Sequence, residues 1–290
     1  MTTAQDWING ARPRTLWTSV SPVVVGSASA AVLGSFRPIL ALLALVVGLA
    51  LQIASNYAND YADGVRGTDI NRVGPSRLVA SGRARPSAVK RAAYLASGVG
   101  GVAGVVLCAV SGQWWLLVVG ALAIPAAWAY TATSNPYGYR GWGEVVVWIF
   151  FGPVAALGTM FTQAGRVTWW AVVASASVGL YAVALLMVNN IRDIDGDLLA
   201  GKRTLAVRLG ERRTRRLFAV VVLAPVAGAV LVGFAVPWAL LATLASLPSL
   251  VVALTVWLGA SGPALKPIFL GISAIGMGYG LLLAIGIALG

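Results

Sequence analysis

VTWWAVVASASVGLYAVALLMVNNIRDIDGD, residues 167–197, decides the fold class. Residues 167–191 carry no Asp, Glu, Lys or Arg, and a helix needs roughly 20 apolar residues to cross a bilayer. The segment then runs into Asp193, Asp195 and Asp197, so it reads as a membrane span ending in an acidic cluster. The charge-free pattern recurs over 15–36, 38–59, 92–139, 145–165, 217–265 and 267–290. Two of these stretches, 92–139 and 217–265, are long enough for two helices each, with breaks expected near Gly112 and Pro237. The chain is therefore expected to be an all-α membrane protein with nine transmembrane helices in a single domain, 1–290. Composition agrees, with 59% hydrophobic and 10% charged residues against about 25% charged in a soluble domain.

The net charge of +12 would suggest nucleic acid in a soluble protein, but its distribution does not. With a cytoplasmic N-terminus, 19 of the 21 basic residues fall on that side, and only Arg37 and Arg166 on the other. This is the positive-inside pattern, and it predicts a multi-pass cell-membrane protein with N-terminus in and C-terminus out. No nucleic-acid partner is expected. The lone Cys108 excludes an intrachain disulfide and any multi-cysteine metal site. The absence of histidine removes His-based general bases and most transition-metal sites. Ser27-Ala28-Ser29-Ala30 faintly resembles a signal-cleavage region. Cleavage is not expected, because it would orphan an eight-helix body.

Two polar loops, about 60–90 and about 192–215, stand out among short connections. Both are expected on the cytoplasmic side, four helices apart. Each begins Asn-x-x-x-Asp, at Asn59–Asp63 and Asn189–Asp193, a weak sign of a parallel internal repeat. Six of the nine acidic residues lie in these two segments: Asp60, Asp63, Asp69, Asp193, Asp195 and Asp197. Acids at membrane-helix ends are functional candidates by default. Asn56, Asn59, Asp60 and Asp63 share one helical face, and Asn189, Asp193 and Asp197 form a second stripe. Asp195 points away from it.

If both stripes face one cavity, their carboxylates repel unless cations intervene. Carboxylate and amide oxygens are hard ligands suited to Mg²⁺, which typically takes one or two carboxylates plus substrate phosphates. Arg77, Arg192, Lys202 and Arg203 supply anion-binding donors. Together these describe a metal–diphosphate site. A calcium EF-hand is excluded by spacing and loop length.

The first acidic segment reads Asn59-Asp60-Tyr61-Ala62-Asp63-Gly64-Val65-Arg66-Gly67-Thr68-Asp69, with Arg77-Leu78-Val79-Ala80-Ser81-Gly82 following. The second reads Asn189-Asn190-Ile191-Arg192-Asp193-Ile194-Asp195-Gly196-Asp197, running on through Lys202-Arg203-Thr204. They resemble the two Asp-rich motifs of the UbiA superfamily of intramembrane prenyltransferases, and most closely its 1,4-dihydroxy-2-naphthoate polyprenyltransferase branch. The six-residue spacing from Asp63 to Asp69 is similar to that branch rather than to the 4-hydroxybenzoate branch. One departure is Ala132-Thr133, where naphthoate enzymes usually carry Gly-Gly.

The resemblance implies Mg²⁺-dependent transfer of a polyprenyl group from polyprenyl diphosphate to 1,4-dihydroxy-2-naphthoate, with loss of CO₂ and diphosphate, giving demethylmenaquinone. It implies metal ligands at Asn59, Asp63, Asp69, Asn189, Asp193 and Asp197, with Asp63, Asp193, Asp197 and Lys202 as the catalytic set. Substrate contacts are expected from Asn56, Asp60, Tyr61, Arg66, Arg77, Tyr130, Tyr139, Arg140, Arg192 and Lys202. The tyrosines among these are candidates for the aromatic acceptor pocket or for stabilising a cation. Trp114-Trp115 and Trp169-Trp170 read as interfacial anchors in the lipid, and Arg212 to Arg216 as an inner-leaflet anchor. The alternatives are a relative acting on another aromatic acceptor, or a cation-coupled anion transporter. The latter is disfavoured because all the acids gather at one membrane face.

Overall fold

A computed structural model describes residues 2–67 and 77–290. Among these residues the chain is helical, with no strand. A short α1 (Ala4–Ala11) precedes α2 (Trp17–Ala31), α3 (Pro38–Arg66), α4 (Pro86–Ser111) and α5 (Leu116–Ala129). Next come α6 (Gly143–Ile149) and α7 (Ala155–Ala164), joined through a π-helical turn at Phe150–Val154, and then α8 (Trp169–Arg192). Two short helices, α9 (Ile194–Leu199) and α10 (Leu205–Leu209), lead to α11 (Glu211–Gly233). A 3₁₀ segment, Pro237–Ala245, enters α12 (Ser246–Trp257), and α13 (Leu265–Leu289) closes the chain.

Each stretch expected to be helical is helical, but seven segments among the described residues, not nine, are long and apolar enough to cross a membrane. The two short ones are α2, with 15 residues, and α5, with 14. A charge-free window counts the turns at its ends together with the helix, so it overstates helix length. The breaks fall where expected. Gly112, at φ +74°, caps α4, its amide bonded to the Cys108 carbonyl, a backbone state that glycine adopts without a Cβ penalty. Pro237 starts the 3₁₀ segment. The described parts of the polar segments are more helical than the loops expected. Asp60 and Asp63 sit inside α3, and 192–215 is largely the helices α9 and α10 and the start of α11.

α8 is the central helix. In its apolar window 72% of residues are buried, against 22–39% in the other six spans, whose exposed Leu, Val and Ile suit lipid. Small residues permit that centrality. A Cβ on Gly152 would stand 2.7 Å from the Ser175 carbonyl oxygen, and one on Gly179 only 2.9 Å from the Gly152 Cα. The π-helical turn and α8 therefore cross backbone to backbone. Around α8 lies the main core, with Met160, Tyr181, Phe218 and Tyr279 fully buried. A smaller core of Tyr57, Leu78, Val89 and Ala93 joins α1, α3 and α4.

One member of the basic run departs from the anchor role. Arg215 is buried and donates to the carbonyls of Val256 (2.6 Å) and Ala260 (2.8 Å) and to Glu211. It satisfies carbonyls left over at the end of α12, while Arg212, Arg213 and Arg216 stay exposed.

Candidate active site

The last turns of α3 bring Asn56, Asn59, Asp60 and Asp63 into the protein, all four buried. Their shared face divides among neighbours. Asp63 accepts from the Tyr139 hydroxyl, and Asn59 from the Thr131 hydroxyl. Asn56 donates to the Ala11 carbonyl at 2.8 Å. Asp60 accepts the backbone amides of Leu78 (2.9 Å) and Val79 (3.0 Å).

The second acidic segment begins where α8 stops. Asp193 caps that helix and takes a two-pronged bond from Arg192, at 2.7 and 2.8 Å. Its carbonyl accepts the amide of Asp197 in α9, and the Asp197 carbonyl accepts the amide of Lys202. This local winding turns Lys202 back over its own motif. The Lys202 Nζ stands 3.6 Å from Asp63 and 3.7 Å from Asp197, and 4.5 Å from the centre of the Tyr139 ring. Asp195 is exposed, away from the stripe as expected. The two acidic segments, far apart in sequence, thus meet at one ammonium.

Tyr139 completes the junction. Burial pushes its phenol well above the ordinary value, helped by the neighbouring Asp63 charge, so it remains a neutral donor. Arg66 lies 5.5 Å from the same ring and gives its guanidinium to the carbonyls of Thr131 and Thr133. These carbonyls flank Ala132, so the contact runs through backbone atoms that any residue supplies.

The other expected residues are placed as follows. Tyr130 lines the cavity described below, and burial raises its phenol, with Glu144 adding to the shift. The Tyr61 ring faces the Lys90 ammonium at 5.4 Å and packs on the smaller core. Arg77 opens the turn that ends at Gly82, and Arg140 is exposed. The Arg203 amide donates to the Tyr139 carbonyl at 2.7 Å. Asp69 lies outside the described residues.

A cavity of about 500 Å³ opens between the two cores beside this junction. Its polar end is lined by Arg12, Gln52, Asn59, Tyr130, Tyr137 and Asn189. The opposite end, between α4 and α5, is formed by apolar residues such as Leu107, Leu117 and Ile124. Arg12, Thr131, Tyr137 and Glu144 were not singled out as site residues by the sequence. Arg12 is the one non-glycine residue among those described with positive φ, 54°, a conformation costing of order 1–3 kcal/mol. Glu144 is buried and accepts from Asn190 at 2.8 Å, tying the start of α6 to α8. The acids outside the two motifs, Asp6, Glu144 and Glu211, each have a local partner of this kind.

Among the described residues, no three acidic side chains gather into one metal-binding group. Cationic and hydroxyl groups stand beside the carboxylates instead. The oxygen donors of Asn59, Asp63, Asn189, Asp193 and Asp197 nevertheless suit Mg²⁺, which needs only one or two carboxylates when phosphate oxygens complete its shell. The donor set fits a metal held jointly with a diphosphate.

The fold is thus an all-α membrane bundle with acidic, cationic and phenolic groups around the mouth of a part-apolar cavity. The chain belongs to the UbiA prenyltransferase family, whose model matches residues 19–275. It is 47% identical to a 1,4-dihydroxy-2-naphthoate octaprenyltransferase of Mycobacterium tuberculosis, over 92% of this chain and 91% of that protein. Identity to the Escherichia coli protein of the same name is 39%, over 74% and 72% of the two chains. Among solved structures, a UbiA homolog from Aeropyrum pernix matches with a TM-score of 0.68 at 19% identity, covering 93% of this chain and 97% of that one. A UbiA homolog from Archaeoglobus fulgidus bound to GPP and Mg²⁺ matches at 0.67 and 16%, covering 96% and 99%. These structural matches share the fold.

Proposed function

We propose that the chain transfers a polyprenyl group from polyprenyl diphosphate to 1,4-dihydroxy-2-naphthoate, releasing diphosphate and CO₂ and giving the demethylmenaquinone skeleton. The observation that carries this reading is the meeting of both acidic segments at Lys202, at the mouth of a cavity with one polar and one apolar end. The naphthoate acceptor is supported by the names of relatives 47% and 39% identical to the chain.

Asn59, Asp63, Asn189, Asp193 and Asp197 would hold Mg²⁺, with Asp69 as a further candidate ligand. Mg²⁺, when bound, supplies charge neutralisation for the diphosphate leaving group. Lys202 adds a positive charge at the same point, where negative charge grows as the allylic C–O bond breaks. Arg192 and Arg77 serve the same anion. Tyr139, kept neutral, orients Asp63 and offers its ring face to cationic charge. The apolar cavity takes the start of the tail and keeps water from the allyl cation. The acceptor ring then attacks through the carbon bearing the carboxylate. The ring–carboxylate bond breaks, CO₂ leaves, and its electron pair restores aromaticity, so no protein base is consumed.

The protein is proposed to reside in the cell membrane with nine crossings, the N-terminus and active site cytoplasmic and Gly290 external. Cysteine labelling on a Cys108→Ser background tests this. Reaction of a cysteine at position 290 from the cytoplasmic side alone would refute the orientation.

The chemistry is tested with carboxyl-labelled acceptors. Label should leave as CO₂ in step with Mg²⁺-dependent prenylation of dihydroxynaphthoate, with little reaction of 4-hydroxybenzoate. Efficient prenylation of 4-hydroxybenzoate with its label retained would move the protein to the other branch.

A further inference from the structure

We infer that Asp60 is a positioning residue that clamps the turn carrying Arg77 against α3, and is not itself a ligand of the substrate. The inference rests on the diphosphate reading above for the role of Arg77, but the clamp stands on geometry alone. Asp60 is 1% exposed, and each of its carboxylate oxygens accepts one backbone amide: Oδ2 from Leu78 at 2.9 Å, Oδ1 from Val79 at 3.0 Å. Such charge-assisted bonds are stronger than neutral ones. Their donors are consecutive amides of a closed turn, in which Ser81 bonds back to Arg77, Gly82 to Val79 and Ala84 to Leu78.

Two further contacts converge on the same two residues. Gly64, one helical turn beyond Asp60, lies so close to the turn that a Cβ there would stand 2.5 Å from the Val79 Cβ and Cγ1. Leu78, 2% exposed, fills the smaller core, where a Cβ on Gly10 would stand 2.6 Å from its Cδ1. α3 therefore presents Asp63 to Lys202 and Tyr139, and Asp60 to the turn. Aspartate suits this seat specifically. Asparagine has one acceptor oxygen, so its amide nitrogen would face one of the two backbone donors. Glutamate would push the turn outward by a methylene.

The full-length protein in detergent or nanodiscs gives the test. In Asp60→Asn, exchange of the Leu78 and Val79 amides should accelerate about 10-fold, as expected for one lost hydrogen bond, with the remainder of α3 unchanged. The KM for polyprenyl diphosphate should rise about 10-fold, while kcat and the acceptor KM stay within about twofold. Gly64→Ala, which displaces Val79 by contact and removes no hydrogen-bonding group, should reproduce both effects. Arg77→Gln should raise the donor KM by itself, and Asp60→Asn should add little on top of it. Unchanged exchange at residues 78 and 79 together with a collapse of kcat would overturn the proposal and make Asp60 a ligand. Faster exchange in a protein whose wild type transfers no prenyl group would uphold the clamp and remove the diphosphate reading instead.

Discussion

The Nζ of Lys202 stands 3.6 Å from Oδ1 of Asp63, joining the second acidic segment to the first. With Asp197 at 3.7 Å, the ammonium separates two carboxylates that would otherwise repel. Lys202→Met should lower kcat/KM for polyprenyl diphosphate by about 10²-fold or more, the scale for losing a preorganised charge at a leaving group. The same change should reduce the Mg²⁺ concentration needed for half-maximal rate, because a competing cation has gone. Steady-state kinetics over a Mg²⁺ titration checks both. Asp63→Asn and Asp193→Asn should cost several orders of magnitude in turnover while the protein stays folded.

Tyr139 contributes a hydroxyl to Asp63 and a ring face to Lys202. Tyr139→Phe removes only the hydroxyl, so turnover should fall about 10-fold, the value of one hydrogen bond. Tyr139→Leu also removes the ring quadrupole, worth about another 0.5–2 kcal/mol, and should be clearly worse. Equal activity in the Phe and Leu variants would refute the cation–ring contact.

Arg215 should matter for stability and not for chemistry. Arg215→Met strips the carbonyls of Val256 and Ala260 of a buried donor and should destabilise by about 2 kcal/mol. Arg212→Met, on the exposed side of the same run, should stay within about 0.5 kcal/mol. Thermal unfolding in detergent separates the two, and activity per folded molecule should be unchanged in both.

The N-terminal helix should loosen in acid. The backbone amide of Thr3, then its hydroxyl and the Arg83 guanidinium, hold the Asp6 carboxyl below its ordinary 3.8. Because the folded value is the lower one, this contribution is present above the ordinary value and lost as pH falls through the folded value. A fluorophore at Gln5→Cys, on the Cys108→Ser background, should be held at about pH 5 and become mobile only at a pH well below the ordinary 3.8. In Asp6→Asn the probe should be mobile at both.

The membrane class, the helix positions, the breaks at Gly112 and Pro237 and the gathering of acids in two segments were all legible in the sequence. Each follows from a local quantity: the length of an uncharged run, a residue that cannot continue a helix, or the cost of placing charge in lipid. Periodicity also placed Asn56, Asn59, Asp60 and Asp63 on one face. A helical face is broad enough to meet more than one neighbour, however, and only the tertiary structure assigned Asp63 to Lys202 and Asp60 to the amides of Leu78 and Val79. The same holds for long basic side chains. Arg66 reads as a substrate contact and Arg215 as part of an inner-leaflet anchor, yet they end on carbonyls of Thr131, Thr133, Val256 and Ala260. The order of residues sets how far such a side chain can reach. Which carbonyl it finds depends on how segments distant in the chain pack around α8, and no local pattern encodes that.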